Sequence, residues 1–156
     1  MKQIYSLDDI DRRILKELQL DALLSHAELA NRVGSSAPSC WRRVRALEAA
    51  GILGSAVRLL DAARVNCGVN IICNVRMRSH DRQSITAFEE FVASRSEIMD
   101  CYSMSGDWDY LLRIVAADVA GYEFFLMRIL LNQPSVGAAS SHFALSQTKY
   151  STQLPI

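Results

Sequence analysis

Three arginines and two serines lie close together between residues 36 and 45. Arg42, Arg43 and Arg45 follow Ser36 and Ser39, with no acidic residue among them. A guanidinium group can bind the O6 and N7 atoms of guanine through two hydrogen bonds, and serine hydroxyls can bind phosphates. These residue types therefore suit contact with duplex DNA, although they do not by themselves decide for it. The alternative is a solvated basic surface with no partner.

Trp41 stands inside this group and has two alternative roles. Its indole can rest against the DNA backbone or cover the packing of neighbouring helices, and the sequence favours neither. Arg43 can also face Glu48 or the domain interior, so Arg42 and Ser39 are the stronger candidates for DNA contact. The formal net charge of the whole chain is zero, so any positive field around these residues is local.

A second group with chemical potential is Gly106, Asp107 and Asp109. Glycine lets the backbone approach a ligand closely, and the two carboxylates can hold an ammonium group. The alternative is an ordinary β-hairpin turn, for which a Gly-Asp pair is common. The residues alone favour the turn.

Catalytic and metal sites are not predicted. The three histidines, at 26, 80 and 142, have no ligand spacing, and the four cysteines form no C-x-x-C pair. No Ser/His/Asp arrangement or carboxylate pair stands out. We therefore expect no enzyme activity, no metal and no cofactor.

Three short helices are expected to position the first group. Residues 8–20 repeat apolar side chains at helical spacing, with acids in the first turn. Ser25 begins a second helix with a capping-box spacing, and Gly34 ends it. Ser36 can cap a third helix, which Gly51 stops.

The two last helices are joined by a tight turn, an arrangement typical of a helix-turn-helix, in which the last helix enters the major groove. Residues 56–60 could add a short strand or wing. The polar and small residues 61–68 are expected to be a linker. The predicted domains are thus 1–60 for DNA binding and 69–156 for the remainder.

The second domain changes to a period of two, typical of strands. Its expected order of β-α-β-β-α-β is that of a ferredoxin-like sandwich, so the fold class is α+β. The predicted elements are a strand at 71–78, a helix at 82–96, strands at 98–105 and 110–116, a helix from 118 to about 131, and an extended run at 136–147. No stretch is apolar enough for a membrane span and no signal peptide is evident, so we expect a cytoplasmic protein.

The chain resembles the Lrp/AsnC, or feast/famine, family of regulators. The resemblance rests on the order and spacing of several segments rather than on any single one. They are residues 7–15 (LDDIDRRIL), 29–30 (LA), 40–44 (CWRRV), 47–48 (LE), 51–52 (GI), 106–110 (GDWDY), and the ending from 149–150 (KY) to 154–156 (LPI). Residues 40–43, 140–144 and 150–156 look most like the DecR-like branch, which is associated with a cysteine response.

This resemblance implies a winged or plain helix-turn-helix, a ligand-sensing domain of ferredoxin-like type, and an amino acid effector. It also implies homodimers that assemble to tetramers or octamers, and a palindromic DNA site fits such a dimer. It turns the Gly-Asp loop into the preferred effector site, where the loop meets a neighbouring dimer. The residues then expected to surround the effector are Met104, Ser105, Gly106, Asp107, Trp108, Asp109, Ser140 and Ser141.

Two functions from different classes follow. The leading prediction is a DNA-binding transcriptional regulator that responds to an amino acid. The alternative is an amino-acid-binding module, or a small enzyme of ferredoxin-like fold, whose helical N-terminus serves only association. Salt-sensitive binding to duplex DNA separates the two.

Overall fold

Three helices make up the first part of the chain, and the computed structural model describes residues 6–156. They are α1 (Asp9–Leu20), α2 (His26–Val33) and α3 (Ala37–Ala49). Each begins at a side chain that accepts a hydrogen bond from a free N–H of the first turn. The predicted helices and their order are confirmed.

The caps explain where these helices begin and end. Ser25 and Glu28 form the reciprocal capping box that the sequence predicted. Asp8 and Asp11 form a second one at the start of α1, with the Asp11 N–H 2.8 Å from an Asp8 carboxylate oxygen. Gly34 ends α2 at φ 69°, a left-handed conformation that glycine adopts without strain.

No strand forms after α3. Within the described chain, residues 54–60 pair with no other strand, and Val57, Leu59 and Leu60 are exposed. The expected strand at 56–60 is therefore absent. A strand needs a neighbour to accept its backbone hydrogen bonds, and the four strands of the described sheet pair only with one another.

Four strands, two helices and a short 3-10 turn, Ala63–Val65, form the second part. The strands are β1 (Val69–Met77), β2 (Ile98–Ser103), β3 (Tyr110–Ala116) and β4 (Val136–Phe143). Helix α4 (Arg82–Ala93) follows β1, and α5 (Val119–Phe124) runs directly into a π-helical segment, Phe125–Leu130. The sheet is antiparallel in the order β2-β3-β1-β4. The predicted α+β, ferredoxin-like βαββαβ class is confirmed.

Several predicted elements end earlier than expected. Strand β2 stops at Ser103 because the next residue, Met104, closes the hairpin by donating its N–H to the Asp109 carbonyl (2.8 Å). Strand β4 stops at Phe143, which pairs with Ile71 near the start of β1, and only the Ala144 N–H continues the contact by donating to the Asn70 carbonyl (2.9 Å). Helix α4 stops at Ala93, where the Ser94 hydroxyl donates to the Phe91 carbonyl.

The sheet has two distinct faces. On β1, Ile71, Cys73 and Val75 are buried beneath α4 and α5, and we call this the inner face. The alternate residues, among them Asn74 and Arg76, lie on the opposite, outer face. The inner face carries the hydrophobic core of the second part, with Phe88, Tyr122 and Leu130 from the helical side.

The chain divides into two compact units. The first contains the described residues up to Arg58 together with Lys149–Ile156, and the second is Leu59–Thr148. The prediction grouped residues 149–156 with the second domain, whereas in the structure Leu154 is hydrogen-bonded to Gln19 on α1. Residues 1–5 of the predicted first domain lie outside the described residues. None of the described helices has the length and apolar character needed to cross a membrane.

Candidate functional site

Helix α3 buries one face and exposes the other. Its apolar residues Cys40, Val44 and Leu47 pack into the core of the first unit with residues of α1 and α2. Trp41 and Arg42 lie on the opposite side, and the Trp41 side chain is 52% exposed. This exposed side is the surface that a recognition helix would present to a DNA groove.

Arg43 belongs to the interior of the first unit. Its Nη1 atom lies 2.7 Å from Asp8 Oδ2 and 2.7 Å from Asp11 Oδ1. Hydrogen bonds to Asp11 and then Asp8 raise the pKa of Arg43. The pKa of Asp8 is lowered, first by the Asp11 N–H and then by Arg43. Arg43 thus joins α3 to the start of α1, the interior orientation that the sequence left open beside the one toward Glu48.

The other two arginines differ from Arg43 and from each other. Arg45 pairs with Glu48 one helical turn later, at 3.1 Å between Nη1 and Oε2, and both side chains are exposed. Arg42 makes no ion pair with any described residue and is exposed. Among the three arginines, Arg42 has the guanidinium group that is most available to a ligand.

The two serines stand at the start of α3. Ser36 accepts a hydrogen bond from the Ser39 N–H at 3.4 Å, so the Ser36 hydroxyl is engaged in capping. Ser39 is half-buried beside Cys40. Both lie at the positive end of the helix dipole, where phosphates are attracted.

The loop between β2 and β3 forms a closed hairpin. Its residues Met104, Ser105 and Gly106 are exposed, and Gly106 has φ 115°. The Asp109 N–H donates to the Val75 carbonyl at 3.0 Å, which ties the loop to β1. Glycine is needed at position 106 because other residues rarely adopt this φ.

Asp109 is engaged inside the protein. One carboxylate oxygen accepts the Met77 N–H (2.7 Å) and the other lies 2.7 Å from His80 Nε2. The Met77 N–H and then His80 lower the pKa of Asp109. Both oxygens therefore fix the segment after β1 to the hairpin. The contact of His80 with Asp109 was not predicted from the sequence.

Asp107 and Trp108 meet an arginine that the sequence analysis did not single out. Arg76 donates from Nε to the Asp107 carbonyl at 3.1 Å, and its guanidinium carbon lies 4.8 Å from the centre of a Trp108 ring. The Asp107 carboxylate is exposed and accepts no hydrogen bond from the described residues. The alternation of β1 could have signalled Arg76, because it occupies an outward position there.

Ser140 and Ser141 point to opposite faces of β4. Ser141 lies opposite Cys73 on the inner face, with its hydroxyl hydrogen-bonded to the Tyr122 hydroxyl. Burial raises the pKa of both Cys73 and Tyr122. Ser140 lies opposite Asn74, on the same outer face as Arg76. The side chains of the two serines therefore do not share one surface.

No metal site is evident in this arrangement. Within residues 6–156, no group of three or more histidine, cysteine or carboxylate side chains is placed to hold an ion.

Comparison with known proteins covers both units. A winged helix-turn-helix DNA-binding family matches residues 7–53, and the Lrp/AsnC ligand binding domain family matches residues 70–154. The glutamate uptake regulatory protein of Zymomonas mobilis is 35% identical over 153 residues, which cover 98% of this chain and 93% of that protein. The DNA-binding transcriptional activator DecR of Escherichia coli is 35% identical over 150 residues, covering 96% of this chain and 99% of DecR.

A solved structure of another transcriptional regulator has a similar fold. The transcriptional regulator NMB0573 of Neisseria meningitidis, solved in complex with L-Met, superposes with a TM-score of 0.92 at 33% identity, covering 96% of this chain and 97% of that one. The matched ranges include α1 to α3 in the first unit and most of the second. The chain belongs to the Lrp/AsnC family of transcriptional regulators.

Proposed function

We propose that this protein is a transcriptional regulator that binds duplex DNA through α3 and responds to an amino acid bound by its second unit. The observation that carries the proposal is the joint match of both units to a DNA-binding family and a ligand-binding family in one chain. The activity is binding rather than catalysis.

The exposed side of α3 supplies the DNA contacts in this proposal. Arg42 reads a base edge, because its guanidinium group has no partner inside the described chain. Ser36, Ser39 and Trp41 lie against the sugar-phosphate backbone, with Arg45 at the margin. Arg43 supports them from within by holding α3 against α1.

Assembly makes such contacts effective in a chain of zero net charge. A homodimer presents two copies of α3, which fit a palindromic operator whose half-sites are one helical turn apart. Tetramers or octamers would present further copies of α3 to the DNA. The cytoplasm is the compartment in which these partners would meet.

The effector in this proposal binds beside the β2–β3 hairpin. The N. meningitidis neighbour was solved with L-Met, which supports an amino acid as the class of ligand here. Cysteine is a second candidate, through the resemblance to the DecR-like branch. The residues proposed to surround the effector are the hairpin residues 104–109 and Ser140, with Ser141 behind them on the inner face.

The proposal is tested by fluorescence anisotropy with labelled DNA from upstream of the protein's own gene. Wild-type protein should bind at low salt, and the logarithm of its affinity should fall linearly with the logarithm of salt concentration. Arg42→Ala should weaken binding by about 5- to 150-fold, because a specific arginine contact is worth about 1–3 kcal/mol. An amino acid from a full panel should shift the wild-type affinity.

Two controls make the result specific. Arg128→Ala removes an exposed arginine from the second unit and should leave DNA affinity within about twofold. Circular dichroism should show that Arg42→Ala is folded. Unchanged DNA affinity in a folded Arg42→Ala would show that α3 does not contact the bases through Arg42. The absence of wild-type binding at low salt would support the alternative of an amino-acid-binding module or small enzyme.

A further inference from the structure

Arg76 is held in one place on the outer face of the sheet. It lies at the end of β1, and its Nε donates to the Asp107 carbonyl at 3.1 Å. The face of Trp108 supports the guanidinium group at 4.8 Å. The side chain is exposed, yet two contacts fix its position.

The outer end of this side chain remains available. Among the described residues, Arg76 makes no ion pair, and only its Nε has a hydrogen-bond acceptor. The two Nη atoms of a guanidinium group form a planar fork that matches the two oxygens of a carboxylate. Because the side chain is already fixed, a ligand would lose little additional conformational entropy by binding it.

The same loop supplies one free negative group. Asp109 has both carboxylate oxygens engaged, by the Met77 N–H and by His80. Asp107 is exposed, and its carboxylate accepts no hydrogen bond from the described residues. Asp107 is therefore the acid available to an ammonium group, and the sequence-based candidate Asp109 is the acid that holds the loop in place.

The hairpin thus carries a free anion on Asp107, and the Asp107 carbonyl and the neighbouring Trp108 ring hold the Arg76 cation. This charge pattern is complementary to a zwitterion, which carries a carboxylate and an ammonium group a short distance apart. A simple amine lacks the carboxylate, and an amino acid amide has lost the negative charge of its carboxylate. The arrangement therefore selects amino acids that keep a free carboxylate.

We propose that Arg76 binds the carboxylate of the amino acid effector and that Asp107 receives its ammonium group. This inference rests on the proposed function, since it concerns the effector site of that same protein. It adds a specificity-determining residue on β1 to a site otherwise built from the hairpin and β4. Asp109 and His80 are positioning residues in this scheme.

The test is isothermal titration calorimetry of the full-length protein with L-methionine and with each of the other common amino acids. For the tightest binder, Arg76→Gln should weaken binding by about 10- to 100-fold, the range expected for a lost hydrogen bond to a charged group. Arg76→Lys should keep part of the affinity. Arg82→Gln, which removes another exposed arginine of the second unit, should leave it unchanged.

A cycle with the corresponding amino acid amide identifies the contact. The amide should bind wild type about as weakly as the free amino acid binds Arg76→Gln. In Arg76→Gln, replacing the amino acid by its amide should lower the affinity little further, because the guanidinium group and the carboxylate act as one pair. Losses that simply add would overturn the inference.

The remaining outcomes separate this inference from the proposed function. Equal binding of an amino acid to wild type and to folded Arg76→Gln would overturn the inference and leave the regulator intact. No binding of any amino acid to wild type would overturn the effector half of the proposed function, and this inference with it. DNA affinity without effector, measured on both proteins, should be the same.

Discussion

Arginines that follow one another on a helix can have unrelated tasks. Arg43 binds two carboxylates at the start of α1, those of the cap residue Asp8 and of the buried Asp11. Arg45 pairs with an exposed glutamate on its own helix, and Arg42 faces outward without a described partner. A buried carboxylate needs its partner much more than an exposed one does. The number of cations on α3 therefore overstates the number available to DNA.

Arg43→Ala should destabilise the first unit by about 2 kcal/mol. The reason is that Asp11 would remain buried without its guanidinium partner, and hydrogen bonds to charged groups contribute about 1.5–3 kcal/mol. The measurement is urea unfolding followed by Trp41 fluorescence in a Trp108→Phe background, which leaves one tryptophan of the chain's two.

Arg45→Ala is the matched comparison for this substitution. It removes an exposed pair from the same helix and should change the free energy of unfolding by less than about 0.5 kcal/mol. Equal losses in the two variants would contradict an interior role for Arg43.

The sequence could identify Arg42 as a contact candidate but could not show where Arg43 would go. Asp8 and Asp11 are 35 and 32 residues away from it along the chain, and only the packing of α1 on α3 brings them together. Asp109 is a similar case. Its carboxylate suggested an ammonium site, but its partners come from the segment after β1.

At the scale of elements, the sequence predicted the limits of a helix or strand correctly where it contained a clear capping residue or a clear alternation of apolar residues. The Ser25 capping box and the Gly34 stop gave α2 its limits. The segment Phe125–Leu130 was not predictable as π-helical, because its apolar residues fit an ordinary helix equally well. Its wider turn appears only in hydrogen bonds such as that from the Leu131 N–H to the Leu126 carbonyl, at 2.9 Å.

The cap of α4 predicts a pH dependence. Asp81 accepts hydrogen bonds from the Ser79 hydroxyl and from the N–H and hydroxyl of Ser84, and these lower its pKa to about 2. In the unfolded chain an aspartate has a pKa of about 3.9. The charged cap therefore stabilises the second unit fully above that value, and the stabilisation is lost as the pH falls toward 2.

Asp81→Asn keeps an acceptor at the cap but removes the charge. The free energy of unfolding should be lower than that of wild type near neutral pH, and the difference should shrink between about pH 4 and pH 2. Trp108 fluorescence in a Trp41→Phe background reports the second unit. Parallel pH curves for the two proteins would exclude a charge effect at this cap.

At the scale of the whole molecule, the first unit is made from two segments of the chain, the described residues up to Arg58 and Lys149–Ile156. Gln19 on α1 accepts the Leu154 N–H at 2.6 Å and donates to the Leu154 carbonyl at 3.4 Å. Ile156 packs against the hydrophobic core of the three helices. The predicted domain 69–156 could not anticipate this, because a short tail of mixed composition carries no local signal for a partner 135 residues away.

Removing residues 153–156 should destabilise the first unit by about 2 kcal/mol, through the loss of two hydrogen bonds and one apolar contact. The second unit should keep its stability. Trp41 fluorescence in the Trp108→Phe background reports the first unit, and Trp108 fluorescence in the Trp41→Phe background reports the second. Leu154→Ala, which trims a side chain that is 70% exposed and leaves the backbone bonds intact, should have little effect. A truncation that behaves like Leu154→Ala would show that the tail contributes nothing.

The tail also sets an order of events during protein synthesis. The ribosome makes α1 to α3 first, but Leu154 follows Gln19 by 135 residues, which takes about 7–27 s at about 5–20 residues per second. The second unit emerges in between and can fold before the first is complete. The helices proposed to bind DNA therefore reach their final packing last. A chain whose translation is interrupted has a DNA-binding unit that lacks its C-terminal segment.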